Sequence, residues 1–245
     1  MNIIKLDAIE STNLYLKRLA VEKEAESYTV VTANYQTSGR GQMGASWHSE
    51  KGKNLTFSML IKFSSFEIEY QFYLSMAVSL GLLAAIRTYI SLPLFVKWPN
   101  DILADKDKLA GILIENIISG NLIKQTVIGI GLNVNQEKFP PTIGNVTSLK
   151  NISGNFYNID LLLESIVTSI QNFMGYVERK EFESLKKIYL KSLYRFQTPS
   201  MFEDNKGTVF LGRIVDILED GKLLVELEDE KTRKFNFKEI KFASR

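Results

Sequence analysis

Apolar residues along the chain fall into short strand-like segments and longer helical ones. Segments rich in β-branched and aromatic residues predict strands at 3–6, 28–35, 55–63, 95–97, 101–103, 109–118 and 122–135. Apolar residues spaced three or four apart predict helices at 14–20, 70–90, 159–174 and 181–196. The turn signal at 119–121 separates two of the strands, which are therefore expected to form a hairpin.

The order of these elements indicates the fold class. Strands and helices do not alternate strictly, so the pattern favours an α+β fold over a doubly wound parallel sheet. After Pro199 the pattern changes to short alternating segments at 208–218, 223–227 and 233–237, which predict a small β-barrel. We therefore expect two domains, at residues 1–196 and 197–245.

Composition excludes several kinds of chemistry. The 245 residues are 45% hydrophobic and 24% charged, as in ordinary globular proteins. There is no cysteine, which excludes disulfides, thiolate metal sites and thiol nucleophiles. The single histidine, His48, excludes a multi-histidine metal site and argues against a serine hydrolase.

Charge and hydropathy also limit the partners. A net charge of +2 gives no basis for expecting nucleic-acid or membrane-surface binding. The N-terminus lacks the pattern of a signal peptide, and the apolar segment at 76–86 is far shorter than the ~20 residues of a membrane span. We expect a cytoplasmic protein without a membrane span.

The segment GRGQMG, here called the glycine loop (residues 39–44), is a candidate anion site. It lies between two predicted strands, so it is neither a Rossmann turn nor a P-loop, both of which precede a helix. Its backbone N–H groups could surround an oxyanion, and Arg40 would add a bidentate donor. A flexible hairpin loop with a solvated arginine explains the same residues.

Two further segments place polar residues beside predicted strands. In KWPNDIL (97–103), Asn100 and Asp101 follow a strand and could bind Mg²⁺ or a nucleotide, or could form an ordinary turn. In KLAGILIEN (108–116), Lys108 could neutralise phosphate or carboxylate, and Gly111 suggests close approach of a ligand to the backbone. A solvated lysine at a strand entry is the alternative.

Two further groups of candidate site residues lie in the N-terminal half of the chain. The sequence Ser11-Thr12-Asn13 fits a helix N-cap at Ser11, and its hydroxyls and amide could equally face a polar ligand. Trp47 follows the glycine loop and could form either an apolar wall or part of the core.

In combination these segments resemble the biotin–protein ligases. The resemblance covers STN, the stretch YQTSGRGQMGASWHSEKGKNLTFSM (35–59), KWPNDIL, KLAGILIE and GIGLNVN (129–135). It implies a mixed-sheet catalytic domain flanked by helices, followed by an SH3-like β-barrel. Ten residues precede Ser11, so it also implies a ligase without an N-terminal DNA-binding domain.

The resemblance implies an activity and a set of roles. Biotin and ATP would form biotinoyl-5′-AMP, and a lysine of a biotin carboxyl carrier domain would accept the biotin. Lys108 and Arg40 would be catalytic, and Asp101 would hold Mg²⁺. The implied biotin-binding residues are Ser11, Thr12, Asn13, Gln36, Arg40, Gly41, Gln42, Trp47, Lys108 and Gly111. The implied ATP-binding residues are Lys97, Asn100, Asp101 and Asn133. We expect a monomer or a weak homodimer.

The glycine loop departs from the family pattern GRGRxGR. Gln42 and Ala45 stand where that pattern has arginines. Two fewer cations near a bound anion predict weaker retention of the adenylate, although Gln42 can donate hydrogen bonds and Lys51 or Lys53 could compensate in part.

Two other functions remain open from the sequence. Lipoate–protein ligases share the expected fold and the acyl-adenylate chemistry, but the GRGxxGxxW and KWPND motifs are typical of the biotin type. A non-catalytic biotin-binding protein would retain biotin and release no pyrophosphate. Related octanoyl transferases use a cysteine nucleophile, which this chain lacks.

Overall fold

The structure is a computed structural model that describes residues 2–22 and 24–243. The outermost positions of the two expected domains, Met1, Ser244 and Arg245, lie outside the described residues, as does Lys23. The domain boundary at 196/197 stays a prediction.

The first sheet has seven strands in the order β1-β2-β3-β7-β6-β5-β4. Its strands are β1 (Asn2–Ile9), β2 (Thr29–Gln36), β3 (Leu55–Lys62), β4 (Leu94–Lys97), β5 (Asp101–Ala104), β6 (Asp107–Ser119) and β7 (Leu122–Leu132). Strand β1 pairs with β2 in parallel, whereas the other neighbours are antiparallel, so the expected mixed sheet is confirmed. The predicted hairpin is β6–β7.

Helices cover this sheet. They are α1 (Thr12–Val21), α2 (Gln71–Ile86), α3 (Leu149–Ser153), α4 (Ile159–Glu178) and α5 (Phe182–Ser192). The five-residue α3 was not predicted, because one turn is too short to show helical spacing. Helix α5 ends four residues before the predicted end at Phe196, because Leu193 is extended and the Tyr194 N–H donates to the carbonyl of Val96 on β4.

Helix α2 is the central helix of the core. With the short turn before it, the segment Ile68–Ile86 is long and apolar enough to cross a membrane by length and composition. However, most of this segment is buried within the protein, against the sheet, α4 and α5. Such burial is typical of a core helix, since a helix apolar on all sides must be covered.

The C-terminal part forms a second, antiparallel sheet in the order β11-β10-β9-β8-β12. Its strands are β8 (Ser200–Asp204), β9 (Val209–Ile217), β10 (Leu223–Leu227), β11 (Thr232–Phe235) and β12 (Ile240–Phe242). The SH3-like antiparallel sheet is confirmed, but its described strands form an open sheet instead of the expected barrel, with β11 and β12 at its two edges. Strands β8 and β12 were missed, because SMFED has its two apolar residues side by side and β12 has only three residues, so neither shows a clear alternation.

Contacts around Trp98 join the two sheets. The indole N–H of Trp98, after β4, donates to the carbonyl of Gly221 before β10 at 2.9 Å. The ring of Phe237 lies 5.2 Å from the Trp98 ring between centroids. These contacts bring the C-terminal sheet to the edge of the first sheet, where a cavity lies between them.

Candidate ligand-binding cavity

A cavity of about 670 Å³ opens between the first sheet and the C-terminal sheet. This volume is in the range of small-molecule and cofactor sites. All but one of the site residues expected from the sequence line it. These are Ser11, Thr12, Asn13, Gln36, Arg40, Gly41, Gln42, Trp47, Lys97, Asn100, Asp101, Lys108 and Gly111. The chain therefore brings together residues that lie up to 100 positions apart.

One end of the cavity is an uncharged hydrogen-bonding network at the start of α1. The Thr12 N–H and hydroxyl both donate to Oε1 of Gln36, at 2.8 and 3.0 Å. Ser58 on β3 lies 2.7 Å from the Thr12 hydroxyl and 2.5 Å from Oδ1 of Asn13. Ser58 was not singled out from the sequence, where it is one polar residue within an apolar strand.

Ser11 occupies the N-cap position of α1 but does not cap the helix with its side chain. Its backbone is extended, and its hydroxyl makes no capping hydrogen bond. The side chain is buried at the cavity instead. The structure thus agrees with the N-cap position and favours the ligand-facing alternative for the hydroxyl.

Glu115 on β6 lies next to this network and was missed by the sequence analysis. Its carboxylate accepts from Nδ2 of Asn13 at 3.0 Å and from Nζ of Lys17 at 3.2 Å, and Arg40 lies 3.7 Å away. Burial alone would raise the pKa of Glu115, but these hydrogen bonds and cations outweigh it and lower the pKa. Glu115 is therefore a carboxylate that stays ionised and pairs with a cation of the glycine loop.

Trp47 forms an apolar wall on the surface of the sheet. Its ring lies over Gly131 on β7 and Gly111 on β6, which are direct neighbours across the two strands. A methyl group at Gly131 would overlap the ring, and one at Gly111 would lie 3.2 Å from it. The strand glycines thus allow an aromatic ring to lie flat on the backbone.

The opposite side of the cavity has cations and a carboxylate. Nζ of Lys108 lies 2.7 Å from a carboxylate oxygen of Asp101 and 5.8 Å from the centre of the Trp47 ring. Lys97 is the cross-strand neighbour of Asp101 and also lines the cavity. Nδ2 of Asn100 donates to the carbonyl of Ile112 at 2.8 Å, which ties the WPND segment to β6.

The glycine loop lies at the cavity mouth. At its base the Trp47 N–H donates to the Gly39 carbonyl, and Arg40 pairs with Ser46 in an isolated antiparallel bridge. At its tip Met43 adopts φ +51° and is 58% exposed. The loop is thus a narrow hairpin with an exposed tip.

The C-terminal sheet supplies lining residues that no sequence motif indicated. They include Phe202, Glu203, Asn205, Phe237, Lys238 and Lys241. Nothing in their spacing along the chain signals a site, because they meet the cavity only through the packing of one sheet against the other.

Three expected residues lie elsewhere. Asn133 is buried below the surface, where its amide donates to the Thr147 carbonyl at 3.0 Å, and it does not line the cavity. Lys51 pairs with Asp7 at 2.8 Å, and neither Lys51 nor Lys53 is among the lining residues. The cations that the structure adds at the cavity are Lys238 and Lys241 instead.

Comparison with known proteins gives a consistent result. The model of the biotin/lipoate A/B protein ligase family matches residues 6–133. A bifunctional ligase/repressor BirA of Bacillus spizizenii is 28% identical over 231 residues, which cover 93% of this chain and 70% of that protein. A biotin–[acetyl-CoA-carboxylase] ligase of Mycobacterium tuberculosis is 33% identical over 129 residues, covering 51% of this chain and 47% of that protein.

A solved structure extends the similarity to the whole chain. It is the biotin protein ligase from Aquifex aeolicus in complex with biotin and ATP, with 25% sequence identity and a TM-score of 0.78. The match covers 99% of each chain, so it includes the C-terminal sheet as well as the first.

Proposed function

Since the chain belongs to the biotin/lipoate A/B protein ligase family, we propose that it activates biotin with ATP and attaches it to a lysine of a biotin carboxyl carrier domain. The resemblance to biotin–protein ligases seen in the motifs is confirmed, and family membership makes the chain a ligase. The acyl-adenylate intermediate and the acceptor lysine belong to the proposal.

The observation that supports this function most directly is the division of the cavity into two ends. Thr12, Asn13 and Gln36 form an uncharged end of hydrogen-bonding groups, and Trp47 lies beside them as a flat apolar wall. Biotin has a polar ureido group on an apolar bicycle, so this end suits its ring system. Its carboxylate would then extend toward the cations.

The cationic end suits the activation step. Lys97 and Lys108 line the cavity there, and Arg40 of the glycine loop lines the same cavity, so three cations face the space in which two anions that repel each other must meet. In this step a biotin carboxylate oxygen bonds to the α-phosphorus of ATP, and the bond from that phosphorus to the pyrophosphate oxygen breaks. Fixed cations stabilise the charge of that transition state more than they stabilise the separated substrates.

Mg²⁺ would enter with the triphosphate. No cluster of three acidic or histidine residues exists in the described part of the chain, which fits an ion held mainly by phosphates and by one carboxylate. Asp101 is the half-buried carboxylate at the cationic end and is the residue that would hold it. When bound, the ion neutralises charge on the phosphate oxygens.

Transfer completes the proposed reaction. The amine of an acceptor lysine attacks the acyl carbon of biotinoyl-5′-AMP, an amide bond forms, and AMP leaves. The mixed anhydride must be kept from water until then, which a cavity roofed by the glycine loop and the C-terminal sheet can do.

The test is pyrophosphate release from the purified protein with Mg-ATP and biotin, lipoate or no acid, followed by addition of a biotin carboxyl carrier domain. We expect release with biotin only, then one biotin on the acceptor lysine by mass spectrometry. Release with lipoate alone would assign the chain to the lipoate branch, and biotin binding without release would leave a binding protein.

A further inference from the structure

The C-terminal sheet touches the glycine loop through one lysine. Nζ of Lys238 donates to the backbone carbonyl of Met43 at 2.7 Å, across 195 positions of sequence. Within the part of the chain that the structure describes, this is the one hydrogen bond that reaches the tip Gln42–Gly44 from outside residues 39–47. The other hydrogen bond of the tip is local, from the Ala45 N–H to the Gln42 carbonyl at 3.2 Å.

Lys238 is presented by a turn that is itself well anchored. The turn, residues 236–239, joins β11 to β12, and the Asn236 N–H donates to the Glu239 carboxylate at 2.7 Å. Phe237 packs on the rings of Trp98 and Phe72. Because Trp98 is the first residue of the WPND segment, the turn is fixed to the cationic end of the cavity.

The loop has little else to hold it closed. Met43 at its tip is exposed, and among the described residues the ion pair that joins the loop to the first sheet is that of Arg40 with Glu115, at 3.7 Å near the loop base. A hairpin held mainly at its base opens easily, since local opening free energies follow the number of contacts that must break. A hydrogen bond from a charged donor to the tip opposes that opening.

We propose that Lys238 is a positioning residue that holds the tip of the glycine loop across the cavity mouth and thereby retains the acyl adenylate. The consequence for the intermediate rests on the proposed function, whereas the closure of the loop does not. In this chain Gln42 and Ala45 replace two arginines of the family pattern, so Arg40 is the cation that remains in this stretch. Lys238 instead holds the loop from the C-terminal sheet, through the backbone carbonyl of Met43.

The first experiment needs no ligand. The Arg40 side chain is 47% exposed, but trypsin must draw the surrounding backbone into an extended form, so the rate of cleavage after Arg40 reports how easily the hairpin opens. The fragment ending at Arg40 is identified by mass spectrometry. We expect Lys238→Met to raise the initial rate of this cleavage about fivefold, which corresponds to a typical net hydrogen bond. Lys238→Arg should restore the slow rate, because arginine can still donate to a carbonyl.

The matched control is Lys234→Met, which removes an exposed lysine of β11 that does not line the cavity. It should leave cleavage after Arg40 unchanged. Equal cleavage rates in the wild type and Lys238→Met would overturn the closure proposal, whatever the activity of the enzyme.

The second experiment measures the half-life of biotinoyl-5′-AMP on the protein after removal of free ATP. We expect it to fall about fivefold in Lys238→Met and to recover in Lys238→Arg, with KM for ATP little changed. A raised KM for ATP with unaltered cleavage after Arg40 would overturn the proposal, because Lys238 would then contact phosphate directly. If the wild type forms no adenylate, the proposed function fails, and the trypsin experiment alone decides on closure.

Discussion

The ammonium of Lys108 lies 2.7 Å from the carboxylate of Asp101, so the two charges at the cationic end of the cavity neutralise each other in the free protein. Asp101 is the first residue of β5 and Lys108 the second residue of β6, and these two strands are antiparallel neighbours. An arriving anion therefore competes with Asp101 for Lys108, and a cation that engages Asp101 releases Lys108 toward that anion.

Removal of Lys108 should impair activation more than binding. Lys108→Ala is expected to lower the rate of biotin-dependent pyrophosphate release by about 10² or more, because a fixed cation stabilises the phosphoryl transition state. The measurement is single-turnover pyrophosphate release. Lys106→Ala removes a nearby exposed lysine outside the cavity and should retain the wild-type rate. Near-normal activation in Lys108→Ala would show that this role is wrong.

Replacing Gln42 and Ala45 by the arginines of the family pattern should lengthen the time for which the intermediate stays bound. Both Gln42 and Ala45 line the cavity, so the double variant Gln42→Arg, Ala45→Arg adds two cations beside a bound anion. We expect the half-life of bound biotinoyl-5′-AMP to rise about tenfold, as for a charge-assisted hydrogen bond. His48→Arg adds charge at an exposed position near the loop but outside the lining and should have little effect. An unchanged half-life in the double variant would count against an electrostatic role for the loop.

The flat position of Trp47 on the sheet depends on Gly131. In Gly131→Ala the new methyl group overlaps the indole ring, so the ring must move into the space proposed for biotin. The dissociation constant for biotin, measured by calorimetry, is expected to rise at least tenfold. Gly120→Ala strains a turn glycine with φ +62° but meets no atom within 4 Å. That control should lose stability by about 1 kcal/mol and retain biotin affinity. If Gly131→Ala bound biotin as tightly as Gly120→Ala, Trp47 would not form a wall of the biotin site.

The lowered pKa of Glu115 makes part of the stability depend on pH. Its folded pKa lies below the ordinary value of 4.5, so its contribution is present above about pH 4.5 and is lost as the pH falls through the folded pKa. Glu115→Gln should therefore be less stable than the wild type at pH 7, and the difference should shrink toward pH 3 in urea unfolding. Glu164→Gln makes the same charge change at an exposed site on α4. A pH-independent difference for Glu115→Gln would contradict the ionised pair.

Local sequence patterns were sufficient to predict most helices and strands, and most of the cavity-lining residues that come from the N-terminal part of the chain. The apolar spacing of 159–174 predicted α4, which the Asn158 side chain caps by accepting from the N–H groups of Asp160 and Leu161. The motif residues line one cavity, because neighbouring strands of the first sheet, helix α1 and the segment between β2 and β3 bring them to the same side of that sheet. Asn133 does not line the cavity, and the sequence could not show this, because an asparagine beside apolar residues looks the same in sequence whether it faces a cavity or a neighbouring carbonyl.

Short spacings and residue types along the chain are enough to predict the mixed α+β character, the family and the candidate loops. The partners that those loop residues meet depend on tertiary contacts. The pairing of Arg40 with Glu115, the support of Trp47 by Gly131 and the contact of Lys238 with Met43 all join distant segments. Such contacts arise from the packing of sheets and helices, which no local spacing encodes.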